Sequence, residues 1–276
     1  MITRQPFSEA NELIQTSEGQ SLLFNIIDMN KGTYDEPHQH VWHQILYPLK
    51  GMLKTQSDGV QFYIPHHRAL FIPANTVHES WALNDTKLLG LYLKPNNKRK
   101  TPMTSRVLEV SNFFRELILH LNAGFVAQQE VSVEQYRLID VLYDQIWLDQ
   151  AIELQIPMPR DRRLTPIVNA LLENPSNELT LKNWSIYVGA SERTLSRLFK
   201  SEVGLSYPLW RQKLRLIVSL QLLEQNIPVQ NAAHQVGYHS CSSYIEAFKQ
   251  TFKFTPQQYK KNSHQLDFSY EQFKTP

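Results

Sequence analysis

Apolar residues recur along this chain with two different periods. Up to about residue 100 they come in short runs: Leu22-Leu23-Phe24-Asn25-Ile26-Ile27, Gln44-Ile45-Leu46-Tyr47, Val60-Gln61-Phe62-Tyr63-Ile64, Ala69-Leu70-Phe71-Ile72 and Lys87-Leu88-Leu89-Gly90-Leu91-Tyr92-Leu93. Each run has the length of a strand, and Gly51, Gly59, Pro65, Pro73 and Asn84-Asp85 punctuate them. The spacing predicts about seven or eight short strands in a sandwich or jelly-roll barrel. From about 104 to 155 the period lengthens to that of a helix. Val107, Val110, Phe113-Phe114, Leu117 and Leu121 form one stripe. Val133, Tyr136-Arg137, Ile139-Asp140, Tyr143, Ile146-Trp147 and Gln150 form a second, after a break near Gly124. Two such helices either cover the barrel as an antiparallel pair or form a dimer seam. Lys98-Arg99-Lys100 before them reads as a solvated loop.

Pro157 and Pro159 stiffen the next stretch, so 156–163 reads as a short, semi-rigid linker. Helical patterns follow over Thr165 to Leu172, ended by Asn174-Pro175, and over Leu181 to Val188, capped by Thr180. The stretch Gly189 to Phe199 then reads as the turn and second helix of a helix-turn-helix. Gly189 takes positive φ cheaply where one helix ends, and Ser191 is a good N-cap for the next. Leu195, Leu198 and Phe199 make its apolar face, while Arg193, Thr194, Ser196, Arg197 and Lys200 lie around the rest. The unit occurs twice. A shift of 49 residues places Ser191 on Ser240, Leu195 on Tyr244, Phe199 on Phe248, Lys200 on Lys249 and Ser206 on Thr255. Between the copies, Leu209, Leu216, Leu220 and Leu223 fall at helical spacing within Pro208 to Gln225. Two recognition helices joined by one stiff helix can enter successive major grooves on one DNA face, roughly 34 Å apart.

Residues of about 160 to 262 resemble the DNA-binding domain of the AraC family of bacterial transcription regulators. The second copy carries most of the signature: Ile227, Ala232-Ala233, Val236-Gly237-Tyr238, Ser240, Tyr244, Phe248-Lys249, Phe252, Thr255-Pro256 and Tyr259. Lys253 stands where the family usually has Gly, and Trp184 where it usually has a small residue. The resemblance implies a sequence-specific transcription regulator and not an enzyme, with double-stranded promoter DNA as partner, RNA polymerase as a further one, and a homodimer.

Charge agrees with that division. The net charge of +2 over 276 residues conceals 13 Lys+Arg against 17 Asp+Glu in 1–159, a net of −4, and 15 against 9 in 160–276, a net of +6. A basic half beside an acidic one fits a nucleic-acid-binding module joined to another module. No run approaches the ~18 apolar residues of a membrane span, and the N-terminus lacks the apolar region of a secretory signal. One cysteine, Cys241, excludes an internal disulfide. The expected location is the cytoplasm.

Within the β region lies His38-Gln39-His40-Val41-Trp42-His43-Gln44, and His78 follows Pro73-Ala74-Asn75-Thr76-Val77. On one strand, His38, His40 and Gln44 would point to the same side. Residues of roughly 20–95 resemble the cupin barrel: Gly32, His38, His40, position 44 and Gly51 fall at the first motif's spacings, and Pro73 and His78 match the second. Gln44 replaces the usual Glu ligand, Asn75 a Gly and Ala82 an Asn. The resemblance implies an effector-binding domain lined by His38, His40, Trp42, Gln44 and His78, with His43 and Trp81 as further aromatic walls. His38, His40 and His78 are the candidate ligands of a divalent metal, the one cofactor considered; an organic effector pocket and a purely structural role stand beside it.

The expected architecture is α+β and multidomain. It comprises a cupin-like β-barrel or jelly roll (1–100), a helical dimerisation or coupling segment (101–155), a linker (156–163), an all-α double helix-turn-helix (164–262) and a tail (263–276). In the first recognition helix Arg193, Ser196 and Arg197 are expected to choose bases, Arg by a bidentate pair to guanine, with Lys200 on phosphate. The second offers His239, Ser240, Ser242, Ile245 and Lys249 and is expected mainly to position the protein. The alternative is a metal-dependent cupin enzyme fused to a DNA-binding domain.

Overall fold

The computed structural model describes residues 4–5, 8–17, 20–66, 68–96, 101–124, 132–147 and 154–266. The chain divides into two compact units, one carrying the sheets and the first three helices, the other made of Gly59–Gln61 with Glu153–Asn262. Lys98-Arg99-Lys100, Gln150 and residues 267–276 of the expected tail lie outside the described residues.

The first unit contains β1 (Arg4–Gln5), α1 (Ser8–Thr16), β2 (Leu22–Met29), β3 (Tyr34–His38), β4 (His43–Lys50), β5 (Met52–Ser57), β6 (Val60–Pro65), β7 (Arg68–Ile72), β8 (His78–Ala82), β9 (Thr86–Leu93), β10 (Arg106–Glu109), α2 (Asn112–Gly124) and α3 (Val133–Trp147). One sheet runs β1-β3-β8-β5-β6 and the other β10-β7-β4-β9-β2. Among the described residues the strands thus form two sheets and not one closed barrel. Sharp corners carry the chain from one sheet to the other. At Gly51, between β4 and β5, φ is +81°, and a Cβ there would lie 2.5 Å from the Asp85 backbone oxygen, so glycine is required. Asp58 and Gly59, at φ 50° and 76°, make the paired positive-φ turn that joins β5 to β6.

The second sheet is covered by α2 and α3. Phe114, Leu117, Ile118, Leu121, Ile139, Leu142, Tyr143 and Ile146 join Ile45, Tyr47, Phe71, Leu89 and Leu91 in one apolar cluster. Strands covered on both faces are apolar at nearly every position, which is why β4, β7 and β9 stand out in the sequence. One expectation is corrected here. Val107 lies in β10, paired antiparallel to β7, and not in the helix, which starts only at Asn112. Ser111 precedes that start, and its hydroxyl accepts from the Phe114 backbone N–H.

The second unit contains β11 (Gln155–Pro157), α4 (Thr165–Glu173), α5 (Leu181–Val188), α6 (Glu192–Val203), α7 (Tyr207–Glu224), α8 (Val229–Gln235), α9 (Cys241–Phe252) and α10 (Pro256–Leu266). Its core is aromatic and aliphatic: Leu195, Phe199, Trp210, Leu214, Ile217, Tyr244 and Phe248 are fully buried. On α7 the buried stripe passes through Trp210, Leu214 and Ile217, while Leu209, expected on that stripe, is 55% exposed. Trp184 is accommodated by a polar relay: its Nε1 donates to the Tyr207 hydroxyl, 2.9 Å, which donates to the Leu179 carbonyl, 2.6 Å. The 156–163 stretch is tied into this unit, where the Pro157 carbonyl accepts from Trp210 Nε1 and the Arg160 N–H donates to Glu202. Among the described residues no helix is long and apolar enough to cross a membrane.

Candidate nucleic-acid interface and a buried histidine cluster

Each half of the repeat builds the same local device. α5 ends at Gly189, which takes the left-handed conformation at φ 64°, and Ser191 opens α6 by accepting from the Thr194 N–H. Ser240 opens α9 in the same way, accepting from the Ser243 N–H. The 49-residue shift extends to the far ends. Gly204 closes α6 at φ 73° and Lys253 closes α9 at φ 69°, so lysine occupies a conformation suited to glycine.

With Leu195, Leu198 and Phe199 turned into the core, α6 leaves Arg193, Ser196, Arg197 and Lys200 exposed and Thr194 half-buried. Among the described residues Arg193 and Arg197 have no ion-pair partner, so both guanidinium groups are available to a ligand. On α9 the exposed residues include Ser242, Glu246 and Lys249, with Ile245 half-buried. His239, just before it, meets Glu178 at 2.8 Å, with both side chains largely exposed. Ser191 and Ser240 are occupied as caps, which suits them to hold a helix end against phosphate more than to read bases.

Sequence reasoning missed Arg215, whose guanidinium donates to the carbonyls of Pro175, Ser176, Asn177 and Gly237 at 2.8–3.2 Å. It ties α7, the loop between α4 and α5, and the turn before α9 into one block. The only signal was an arginine on the scaffold helix facing a loop rich in carbonyls that no helix uses. Burial holds its pKa below the ordinary arginine value.

In the first unit His38 ends β3, His40 sits in the following turn, Gln44 is on β4 and His78 begins β8. Strand alternation therefore does not bring them together, because β3 stops at His38. Cross-strand pairing does: His38 stands opposite His78. The ring centroids lie 4.2 Å (His38–His78), 5.2 Å (His40–His78) and 6.0 Å (His38–His40) apart. One ring nitrogen from each lies within 4.8 Å of the others, and all three residues are buried. Each Nδ1 faces a backbone carbonyl two residues away: Glu36 at 2.8 Å, Trp42 at 2.6 Å and Thr76 at 2.9 Å. Gln44 Oε1 lies 3.1 Å from His40 Nε2, and Tyr92 packs edge-on against His40. Trp42 contributes its backbone carbonyl. Trp81 alternates to the opposite face of β8 from His78, where it stacks on Tyr34 under Lys54, so it is not a wall of this cluster.

Burial disfavours the charged imidazolium. It pushes His78 down to about 3, with the neighbouring His38 adding to the effect, and it lowers His40 as well. His43 is pushed down to about 4 by burial, with His40 adding to the effect; it packs on Phe71 and accepts from the Ala74 N–H. On the strands beside the cluster the interior stays polar, with Thr55, Ser57 and Ser80 all buried and Ser57 paired opposite His78. Thr55 bonds Ser80 and Ser57 bonds Ser105 through their hydroxyls.

Comparison with known proteins gives a family match within the second unit and a relative that spans most of the chain. A helix-turn-helix domain family model matches residues 184–262. The HTH-type transcriptional regulator NimR of Escherichia coli (strain K12) is 32% identical over 222 residues, 80% of this chain and 81% of that protein. The HTH-type transcriptional regulator RipA of Corynebacterium glutamicum is 31% identical over 100 residues, 36% of this chain and 30% of that protein. Among solved structures, an AraC-type transcriptional regulator from Chromobacterium violaceum is 28% identical, covers 37% of this chain and 93% of its own, and superposes with a TM-score of 0.36.

Proposed function

This chain belongs to the AraC family of helix-turn-helix transcriptional regulators, and on that premise we propose that it reads a bipartite promoter site and answers to an effector held by its N-terminal unit. The carrying observation is the pair of Ser-capped helices, α6 and α9, repeated at 49 residues on one buried apolar base. In this reading α6 carries the base choice. Arg193 and Arg197 supply bidentate donors for guanine, Ser196 a smaller polar contact, and Lys200 with Lys249 the phosphate contacts. α9 mainly positions the protein, because Ile245 offers only apolar contact, Glu246 repels phosphate, and His239 already meets Glu178.

The N-terminal unit is read as a cupin-type sensor whose effector is a small molecule or a metal ion. Its polar interior supports this, since buried hydroxyls and imidazoles lie where a purely structural sheet pair would place apolar side chains. A cytoplasmic homodimer paired through α2 and α3 belongs to the same reading; Phe113, Val133 and Tyr136 on those helices are exposed. Contact with RNA polymerase follows from the family role. The alternative, a metal-dependent enzyme joined to a DNA anchor, draws on the histidine cluster. Gln44 weighs against it, because an amide is a poorer donor than the carboxylate it replaces.

In vitro selection from random duplex DNA with the full chain tests the proposal. It should yield two half-sites about one helical turn apart. Base substitutions in the half-site under α6 should weaken binding more than those under α9. Equal sensitivity of both half-sites would overturn the assignment of base choice to α6.

A further inference from the structure

We propose that Arg215 is the positioning residue that fixes how the two helix-turn-helix units stand to each other, and through that the half-site separation this protein accepts. The inference rests on the bipartite reading of α6 and α9.

Arg215 lies midway along α7, the helix that joins the two units. Its guanidinium reaches a loop in each of them. Nε donates to the Pro175 carbonyl at 2.8 Å, and Nη2 to those of Ser176 and Asn177 at 3.2 Å, all in the loop before α5. Nη1 donates to the Gly237 carbonyl at 2.8 Å, in the turn before α9. These residues lie outside the helices, so no helical ladder uses their carbonyls. A planar fork with five donors serves acceptors in two loops at once, whereas a lysine ammonium is a single point with three.

Two further contacts bring the same loops together. A Cβ at Gly237 would lie 2.6 Å from Arg215 Nη2 and 2.9 Å from the Ser176 Cα. The bare glycine backbone, at φ +85°, thus lets the loop before α5 approach the turn before α9. Beside it, Glu178 meets His239 at 2.8 Å, an exposed pair across the same junction. Joined by α7 alone, the two units would pivot about it. A second connection removes that freedom.

The place of the clamp decides what it controls. The turn at 237–239 leads into the N-terminal end of α9, and the loop at 175–179 leads into α5, whose last residue hands the chain through Gly189 to α6. A shift at the junction therefore moves the two recognition helices relative to each other. On DNA, one base pair more or less between half-sites displaces the second by roughly 3.4 Å and turns it by about 35°. A clamped pair does not follow, and the gain from engaging both half-sites together is lost where geometry forbids it.

The test uses the full chain and the bipartite DNA site it selects, with the half-site separation kept, shortened or lengthened by one or two base pairs. Wild type should lose affinity on the order of 10–100-fold at the altered separations. Arg215→Lys keeps the charge but does not bridge both loops, so that loss should shrink by at least about threefold, while affinity for the single half-site under α6 stays as in wild type. Glu178→Lys covers the case in which Arg215→Lys does not fold. It removes the pair with His239 and sets a cation near Arg215, and should shrink the loss by about twofold. Its added charge acts on every separation alike and cancels in the ratio. A folded Arg215→Lys that weakens binding by one factor at every separation, or that keeps wild-type discrimination, overturns the proposal. Where Arg215→Lys does not fold, wild-type discrimination in Glu178→Lys overturns it. A bipartite site bound equally by wild type at every separation overturns the proposal and leaves the bipartite reading standing. Selection of a single half-site defeats that reading and the proposal with it.

Discussion

The two units of this chain handle polar groups in opposite ways. The C-terminal unit buries an almost wholly apolar core and turns its arginines, lysines and serines outward along α6 and α9. In its core Tyr244 donates to Ser219, which donates to the Leu216 carbonyl. The N-terminal unit keeps three histidines, Gln44, Thr55, Ser57 and Ser80 inside. A partner too large to enter a protein must be met by an outward face. A small partner can be surrounded, and then the costly polar groups are worth burying.

The sharpest way to break this contrast is to remove the core that presents α6 and α9. Trp210→Ala, at a fully buried position, should destabilise the C-terminal unit by about 3–5 kcal/mol and abolish DNA binding. Thermal unfolding and gel shift on the same sample would check both.

Acid sharpens it from the other side. His78 and His43 protonate near 6.5 in the unfolded chain but only near 3 and 4 in the fold, so between those values the unfolded chain binds more protons. Their contribution is complete above about pH 6.5 and is lost as pH falls toward the folded values. For metal-free protein this predicts a loss of roughly 2 kcal/mol per histidine by about pH 5, read as a falling midpoint of the N-terminal unit. The described histidines of the C-terminal unit, His234 and His239, are exposed, and its midpoint should move little over the same range.

Arg197→Ala should leave stability unchanged and cost about 1–3 kcal/mol of discrimination at one base pair, measured as relative affinity for matched and substituted sites. The smallest expected effect is at Lys253. Its φ of 69° is strained for a lysine, and the one exposed hydrogen bond its Nζ donates, to the Gln250 carbonyl, offsets little of that, so Lys253→Gly should raise stability by about 1 kcal/mol, read as a higher unfolding midpoint.

The same contrast explains what the sequence made legible. Strands β4, β7 and β9 are buried on both faces and read as apolar runs, and α6 and α9 carry their caps and apolar faces in a repeated code. Strands β3, β5 and β8 are half-buried with polar residues facing inward, so no apolar alternation marks them. The histidine spacing suggested one strand, whereas the chain leaves β3 at His38 and returns on β4 by His43, and β8 supplies the third ring. That convergence depends on pairing between residues forty positions apart in sequence, which no local pattern encodes. Of the departures from the family pattern, Trp184 is explained by the Tyr207 relay, whereas Lys253 keeps the glycine-like φ of the α9 C-cap and its side chain has no structural explanation.

The most direct test of the account is a hydroxyl-radical footprint of the full chain on a selected DNA site. Two protected patches about one helical turn apart on the same face of the duplex are predicted, the first lost in Arg193→Ala/Arg197→Ala. A single patch of one half-site, unchanged by those substitutions, would contradict it.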